Sequence, residues 1–273
     1  MRQIHLDRAG VEASLLRFID RLLALPETGG VRMGNVLIQN NARKEADVRE
    51  AMCRSYHDCC SDSDICMIVH LPANGQTTPS EYMKHPARLG ITPDQYLGFL
   101  KTEDSGIFRI VFKDGTRVDL GFEFRYDVAC QEIKWEAEPE RRSNPQWPIE
   151  KVDAFWFIMV QSLGKLYRRD YLISSHLANM EINETLVQQM VFRDMAHGTT
   201  HHRYGYREQL AYQKYAGQHR FAIGEEPFDM IADKLYAAAL AYDKLTKGFY
   251  PDYEARSDVL FDIWQYYSDN MPL

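Results

Sequence analysis

Between residues 11 and 25 apolar side chains return every three or four positions. Leu15, Leu16, Ile19, Leu22 and Leu23 fall at helical spacing ahead of Pro26 and the Gly29-Gly30 pair, so the chain is predicted to open on a helix that stops there. A short apolar run at 36–38 follows Gly34-Asn35 and ends at Gln39 and Asn40-Asn41, as a short buried strand would. Residues 44–56 are charged, good helix formers, whereas 65–71 (ICMIVHL) are β-branched and apolar. Strand, helix, strand in that order predicts a mixed α/β sheet. Residues 72–102 are rich in Pro, Gly and Thr and read as a long surface connection with one helix at 93–100. The clearest hairpin comes next: 107–112 and 117–124 flank Lys113-Asp114-Gly115-Thr116, and Asp-Gly supplies the positive φ angles of a tight turn. A further strand at 126–135 is expected to extend the sheet.

The run EPERRSNPQWP at 138–148 carries three prolines and mixed charge, which neither a strand nor a helix interior tolerates well, and a domain boundary is placed there. Beyond it the period changes. Val152, Phe155, Trp156, Val160, Leu163 and Leu166-Tyr167 recur at threes and fours. So do Ile231, Leu235, Tyr236, Ala239 and Tyr242, and then Val259, Leu260, Ile263 and Trp264. The expected class is therefore α+β: a mixed β-sheet domain over 1–140 followed by an α-helical bundle domain over 149–273.

Composition changes this picture little. With 273 residues and 45% hydrophobic content the chain is long enough to bury sizeable cores. A formal net charge of -7 speaks against a protein that coats nucleic acid, which needs clustered positive charge, and suits a cationic small-molecule partner. Arg141-Arg142 and Arg168-Arg169 are too short and too diluted by acids to mark a nucleic-acid groove. No apolar run approaches the roughly 20 residues that cross a bilayer, and the first ten residues have no signal-peptide core, so no membrane partner and a cytoplasmic location are expected. The five cysteines, Cys53, Cys59, Cys60, Cys66 and Cys130, form no CxxC pair and read as free thiols.

The chemistry concentrates in three aspartates. Asp62 and Asp64 stand two apart at the head of the apolar strand, and alternation along a strand sends both carboxylates to one face. Asp119 lies between Val118 and Leu120 on the second arm of the hairpin, in a strand able to pair beside the first. Three carboxylates brought together call for a compensating cation, and hard oxygen ligands suit Mg²⁺ completed by substrate phosphates. An isolated DxD at a loop-to-strand junction is more often a solvated turn; the ordered set of strand, polar turn, DxD strand and Asp-centred strand is what singles this one out.

These residues resemble a known family. The run DGTRVDL (114–120), with SDSDICMIV and the upstream IQNNAR, is similar to the nucleotidyltransferase domain of streptomycin-type aminoglycoside adenylyltransferases, and Phe155-Trp156-Phe157 with 163–168 is similar to that family's helical segment. The hairpin and the DxD are its specific part. The resemblance implies a nucleotidyltransferase-like sheet domain, a helical substrate-binding domain, and transfer of AMP from ATP to a hydroxyl of a small molecule such as an aminoglycoside antibiotic by a monomer or homodimer. Asp62, Asp64 and Asp119 would bind metal. Asp119 would ligate a second ion or act as base, with Glu123 as the reserve base on the same face. Lys165 and Arg168 would reach the triphosphate, although each taken alone reads more simply as solvated charge on an amphipathic helix.

One departure matters. Where the family's strand ends in a Gly-Ser pair that grips the triphosphate, this chain has Asn41 and Ala42, followed by the basic Arg43. Ala42 offers no hydroxyl. Asn41 can adopt the left-handed conformation that glycine supplies, at some cost, which would keep a backbone nest for anions, with Arg43 as a phosphate contact. The departure keeps open a second reading, a weakened or inactive nucleotidyltransferase-fold protein that binds a nucleotide or a protein partner. The cluster His197, His201 and His202 has i, i+4 spacing for zinc, but Gly198 and two threonines interrupt it and no carboxylate or cysteine stands at ligand spacing, so it reads as a cleft loop. The aromatic residues of the second half, Tyr204, Tyr206, Tyr212 and Tyr215 among them, are expected to be core packing for the most part. No Walker loop, GxSxG elbow or dinucleotide fingerprint occurs.

Overall fold

Asp7 starts the first helix by accepting a hydrogen bond from Gly10 N at 2.8 Å, and α1 runs over Arg8–Leu23. It begins three residues before the apolar periodicity does, because the cap sets the start. A computed structural model of the chain describes residues 4–75, 77–102, 106–135, 143–200 and 227–271. They fall into two compact units, Gln3–Glu140 and Arg141–Leu273. A six-stranded mixed sheet comes first and a helical region follows.

The sheet contains β1 (Thr28–Met33), β2 (Val36–Ile38), β3 (Asp62–Pro72), β4 (Tyr96–Lys101), β5 (Phe108–Phe112) and β6 (Arg117–Asp127), in the order β2-β1-β3-β6-β5-β4. All neighbouring pairs are antiparallel except β3 and β6, which run parallel. Three elements differ from the expectation. β1 contains the glycines read as a helix stop. Gly29 is needed there because the His70 ring occupies the space a Cβ would fill, and the register slips between Thr28 and Gly30. Residues 96–101 form β4, where a helix was expected, because pairing with β5 overrides a weak local preference. The chain leaves the sheet after Asp127, so 128–135 adds no strand. The hairpin forms as expected, but only Gly115 has a positive φ, 87°. Gly115 N bonds to Phe112 O and Phe112 N to Thr116 O, each at 2.9 Å, which makes the turn a type I turn closed by a glycine bulge.

One face of the sheet is the core. Ile65, Met67 and Val69 of β3, Val118 and Leu120 of β6 and Ile110 of β5 are buried, together with Leu15, Ile19 and Leu22 of α1 and Val48 and Met52 of α2 (Lys44–Ser55). Each such side chain taken fully from water is worth about 1.5–3 kcal/mol. Beyond the helices the same side is closed by Tyr82 of the one-turn α3 (Pro79–Tyr82), which meets Phe122, Phe124 and Trp135 edge-on. Buried Glu27 fixes that corner. It accepts two hydrogen bonds from Arg88, at 2.5 and 2.8 Å, and one from Tyr82 at 3.1 Å.

The second unit contains α4 (Ile149–Tyr167), α5 (Tyr171–His197), α6 (Phe228–Phe249) and α7 (Ser257–Asn270). Phe155 of α4 stacks on Tyr242 of α6 with ring centroids 3.5 Å apart. α4 and α5 approach closely through Ser162 and Ser174, whose hydroxyls each bond the other's carbonyl at 3.0 and 2.9 Å. Asp243 of α6 accepts from the backbone of Arg256 (3.1 Å) and Ser257 (2.8 Å), capping α7 from another helix. α5 ends at His197 because Gly198 is left-handed, φ 62°. His201, like His202, Tyr204, Tyr206, Tyr212, Tyr215 and Arg141-Arg142, lies outside the described residues. None of the described helices is long and apolar enough to cross a membrane.

Candidate functional site

The parallel pairing of β3 and β6 sets the site. All 11 residues of β3 pair in unbroken register with β6, Asp62 opposite Arg117 and Asp64 opposite Asp119. Side chains at paired positions share a face, so Asp62, Asp64 and Asp119 project from the face opposite the core, while Ser63, Ile65, Val118 and Leu120, between and beside them, are buried. The pleat that buries one set presents the other.

Arginines share this face. Arg109 of β5 pairs with Asp119 in register, and its Nε lies 3.4 Å from Asp119 Oδ2. Arg117, only 7% exposed, donates from Nη1 to Cys60 O at 3.1 Å and from Nη2 to Asp62 Oδ2 at 3.5 Å. The Nε atoms of both arginines are buried and take no hydrogen bond. Asp119 is held above the ordinary carboxylate range: burial pushes it up and the charges of Asp62 and Asp64 add to that, against the pull of Arg109 and Arg117. Its carboxyl thus feels both of the other aspartates, as a shared site requires. Asp64 is exposed.

Glu123 stands on the same face, opposite Ile68, but it is already engaged. Arg125 donates to Oε1 at 2.5 and 2.9 Å, and Arg32 to Oε2 at 3.1 Å. The Arg125 hydrogen bonds, helped by Arg32, hold it below the usual range, which makes it a weak base. Among the two candidate bases, Asp119 is the better placed.

The turn at 39–43 is also occupied. Asn41 does not take the left-handed conformation open to it, since Arg169 is the one described non-glycine residue with positive φ. Its Oδ1 instead accepts from Arg43 N at 2.8 Å, and its own N–H donates to Gln39 O at 2.8 Å. Two of the backbone donors that an anion nest would use are thus already satisfied. Ala42 is exposed, and the exposed side chain of Arg43 reaches Asp47 at 3.5 Å. In the other unit Lys165 pairs with Asp170 at 3.5 Å, and Arg168 is exposed at the end of α4.

Among the described residues no three His, Cys, Asp or Glu side chains converge as a ready cage for a metal ion. The donor set nevertheless suits one Mg²⁺, which takes one or two carboxylates and completes its shell with water and phosphate: Asp62 and Asp64 supply the pair, and Asp119 is matched to Arg109. The arginines are what sequence reasoning missed. Arg109 sits between Phe108 and Ile110, a signal that gives its face but not the strand it lies against. A cleft of about 640 Å³ beside Glu27, Arg88 and Cys130 also went unforeseen. Cys130 there donates to His70 O at 3.1 Å, at the other end of β3 from the aspartates. Compared with protein-family models and with curated proteins, the chain matches none.

Proposed function

We propose that this chain is a nucleotidyltransferase that moves a nucleoside monophosphate, AMP from ATP by resemblance, onto a hydroxyl of a small cationic molecule of the aminoglycoside kind. One observation carries the reading: Asp62, Asp64 and Asp119 leave one face of a parallel strand pair in register, and the Asp119 carboxyl is raised by burial and by the other two.

In that reading Asp62 and Asp64 would hold a Mg²⁺, which when bound would supply positive charge against the phosphate oxygens and the pyrophosphate leaving group. Asp119, whose raised affinity for protons brings it nearer to the working range of a general base, accepts the proton of the attacking hydroxyl. Arg117, anchored on Cys60 O, keeps Asp62 in place. Glu123, held by two arginines, is a structural part of the face and not the base.

A second reading has its own support. Arg43 spends its backbone donor on the Asn41 side chain and Asn41 spends its own on Gln39 O, which favours a protein that binds nucleotide with weakened transfer or none.

Incubation with α-labelled nucleoside triphosphates, Mg²⁺ and a panel of aminoglycosides and lincosamides separates the two. Pyrophosphate release with label on the acceptor, lost in Asp62→Ala and Asp64→Ala, is the expected result. Nucleotide binding without transfer to any acceptor would replace the enzyme with the binding protein, and absence of both Mg²⁺ and nucleotide binding would remove both.

A further inference from the structure

We propose that Arg109 is the second positive centre of this site, so that the chain binds a single divalent cation, at Asp62 and Asp64, and uses the Arg109 guanidinium where a three-carboxylate site would take a second ion. The proposal rests on the nucleotide reading above and adds to it a residue and a metal count.

The argument starts from the strands. β5 and β6 are antiparallel neighbours, and Arg109 and Asp119 face each other in their register, so the backbone delivers the guanidinium to Asp119. The 3.4 Å approach of Nε to Oδ2 satisfies the ion-pair distance, yet Nε is buried without a hydrogen bond. The group is positioned by its strand and not by an optimal bond to the carboxylate. Among the described residues its Nη groups make no hydrogen bond, and the Arg109 side chain is 35% exposed. That leaves a planar pair of donors, the geometry that matches phosphate oxygens.

Charge gives the same count. Asp62, Asp64 and Asp119 bring three negative charges, and Arg109 and Arg117, each within ion-pair distance of one of them, return two. One divalent ion leaves this face modestly positive for a polyphosphate. A second ion bound to Asp119, whose side chain is 18% exposed, would stand beside the Arg109 guanidinium, and the two like charges would repel.

The test counts metal on the full-length protein. Mn²⁺ is titrated in the presence of an ATP analogue with a methylene bridge between its α and β phosphorus atoms, and bound ion is read by electron paramagnetic resonance. Wild type is expected to bind one Mn²⁺ per chain. Arg109→Met and Arg109→Gln, checked for native circular dichroism, are expected to bind two, while Arg109→Lys keeps one and holds the analogue about tenfold more weakly, the loss of about 1.4 kcal/mol of bidentate contact. Two ions on wild type, or one ion with unchanged nucleotide affinity in whichever of Arg109→Met and Arg109→Gln folds, overturns the proposal while the nucleotide reading stands. If wild type binds neither Mn²⁺ nor the analogue, or if Asp62→Asn binds Mn²⁺ as well as wild type does, the underlying reading fails and takes this inference with it.

Discussion

Asp119 is under two opposed demands. Burial and two neighbouring carboxylates disfavour its charge, and two arginines favour it, with burial the largest influence and the net effect upward. A raised carboxyl means that the folded state holds the proton more tightly than the unfolded chain does. The associated stability is present below the ordinary carboxylate value of 3.8 and is lost as pH rises through the folded value. Asp119→Asn should therefore raise the thermal midpoint of the ligand-free protein at pH 7 and change it little near pH 3, and under the proposed function it should abolish transfer. A lower midpoint at pH 7 would mean that the pair with Arg109 outweighs desolvation. Glu27 is the opposite case. Burial pushes it up, but the hydrogen bonds from Arg88 and Tyr82 bring it below the ordinary range, so its contribution is present above the unfolded carboxylate value and lost as pH falls through the folded one. Arg88→Met strands a buried charge and should cost about 3–5 kcal/mol in urea unfolding at neutral pH. The penalty should shrink in mild acid as Glu27 protonates, and adding Glu27→Gln should restore part of it.

Elements were legible where their signal was local. α1, α2, β2, β3 and the β5–β6 hairpin follow from periodicity, apolar runs and Asp-Gly. β1 was hidden because its glycines look like punctuation until the His70 ring is seen lying over Gly29. β4 was hidden because its strand character comes from its partner β5. Cross-element capping is equally invisible in sequence. Arg256, ahead of α7, has no side-chain cap of its own, and the helix start is satisfied instead by Asp243, fourteen residues before Ser257 in the chain. Asp243→Ala removes the acceptor from the buried Ser257 N–H, from the half-buried Arg256 N–H and from the Tyr253 hydroxyl, which bonds it at 2.7 Å. A loss of about 2 kcal/mol is expected, with the amides of Arg256 and Ser257 losing hydrogen-exchange protection first. Unchanged protection there would show that water replaces the carboxylate without cost.

At the scale of the whole molecule, two units each hold a core and each stores a carboxyl in it. In the helical unit Glu181 is 2% exposed with Oε2 unpaired, and burial, then Glu184, raises it well above the ordinary value. Its stability contribution is likewise lost as pH rises, so Glu181→Gln should stabilise the protein at pH 8 and leave it unchanged at pH 4. Hydrogen exchange should place the gain in α4, α5 and α6 and not in the sheet. Of the candidate site, the aspartates could be read because their alternation with apolar neighbours lies within single strands. Arg109 and Arg117 could not be assigned to them, because which charge meets which depends on strand order. The shared register of β3 and β6 also bears on how this protein can change by descent. Acidic and core positions interleave along the same two strands, so an insertion or deletion in either exchanges carboxylates for Ile65 and Leu120 and destroys the core with the site. The turn at 39–43 lies outside that interlock and is free to drift. Change along β3 and β6 is therefore confined to substitution, which can alter the acidic face one residue at a time without moving the core, whereas the turn can also change its length.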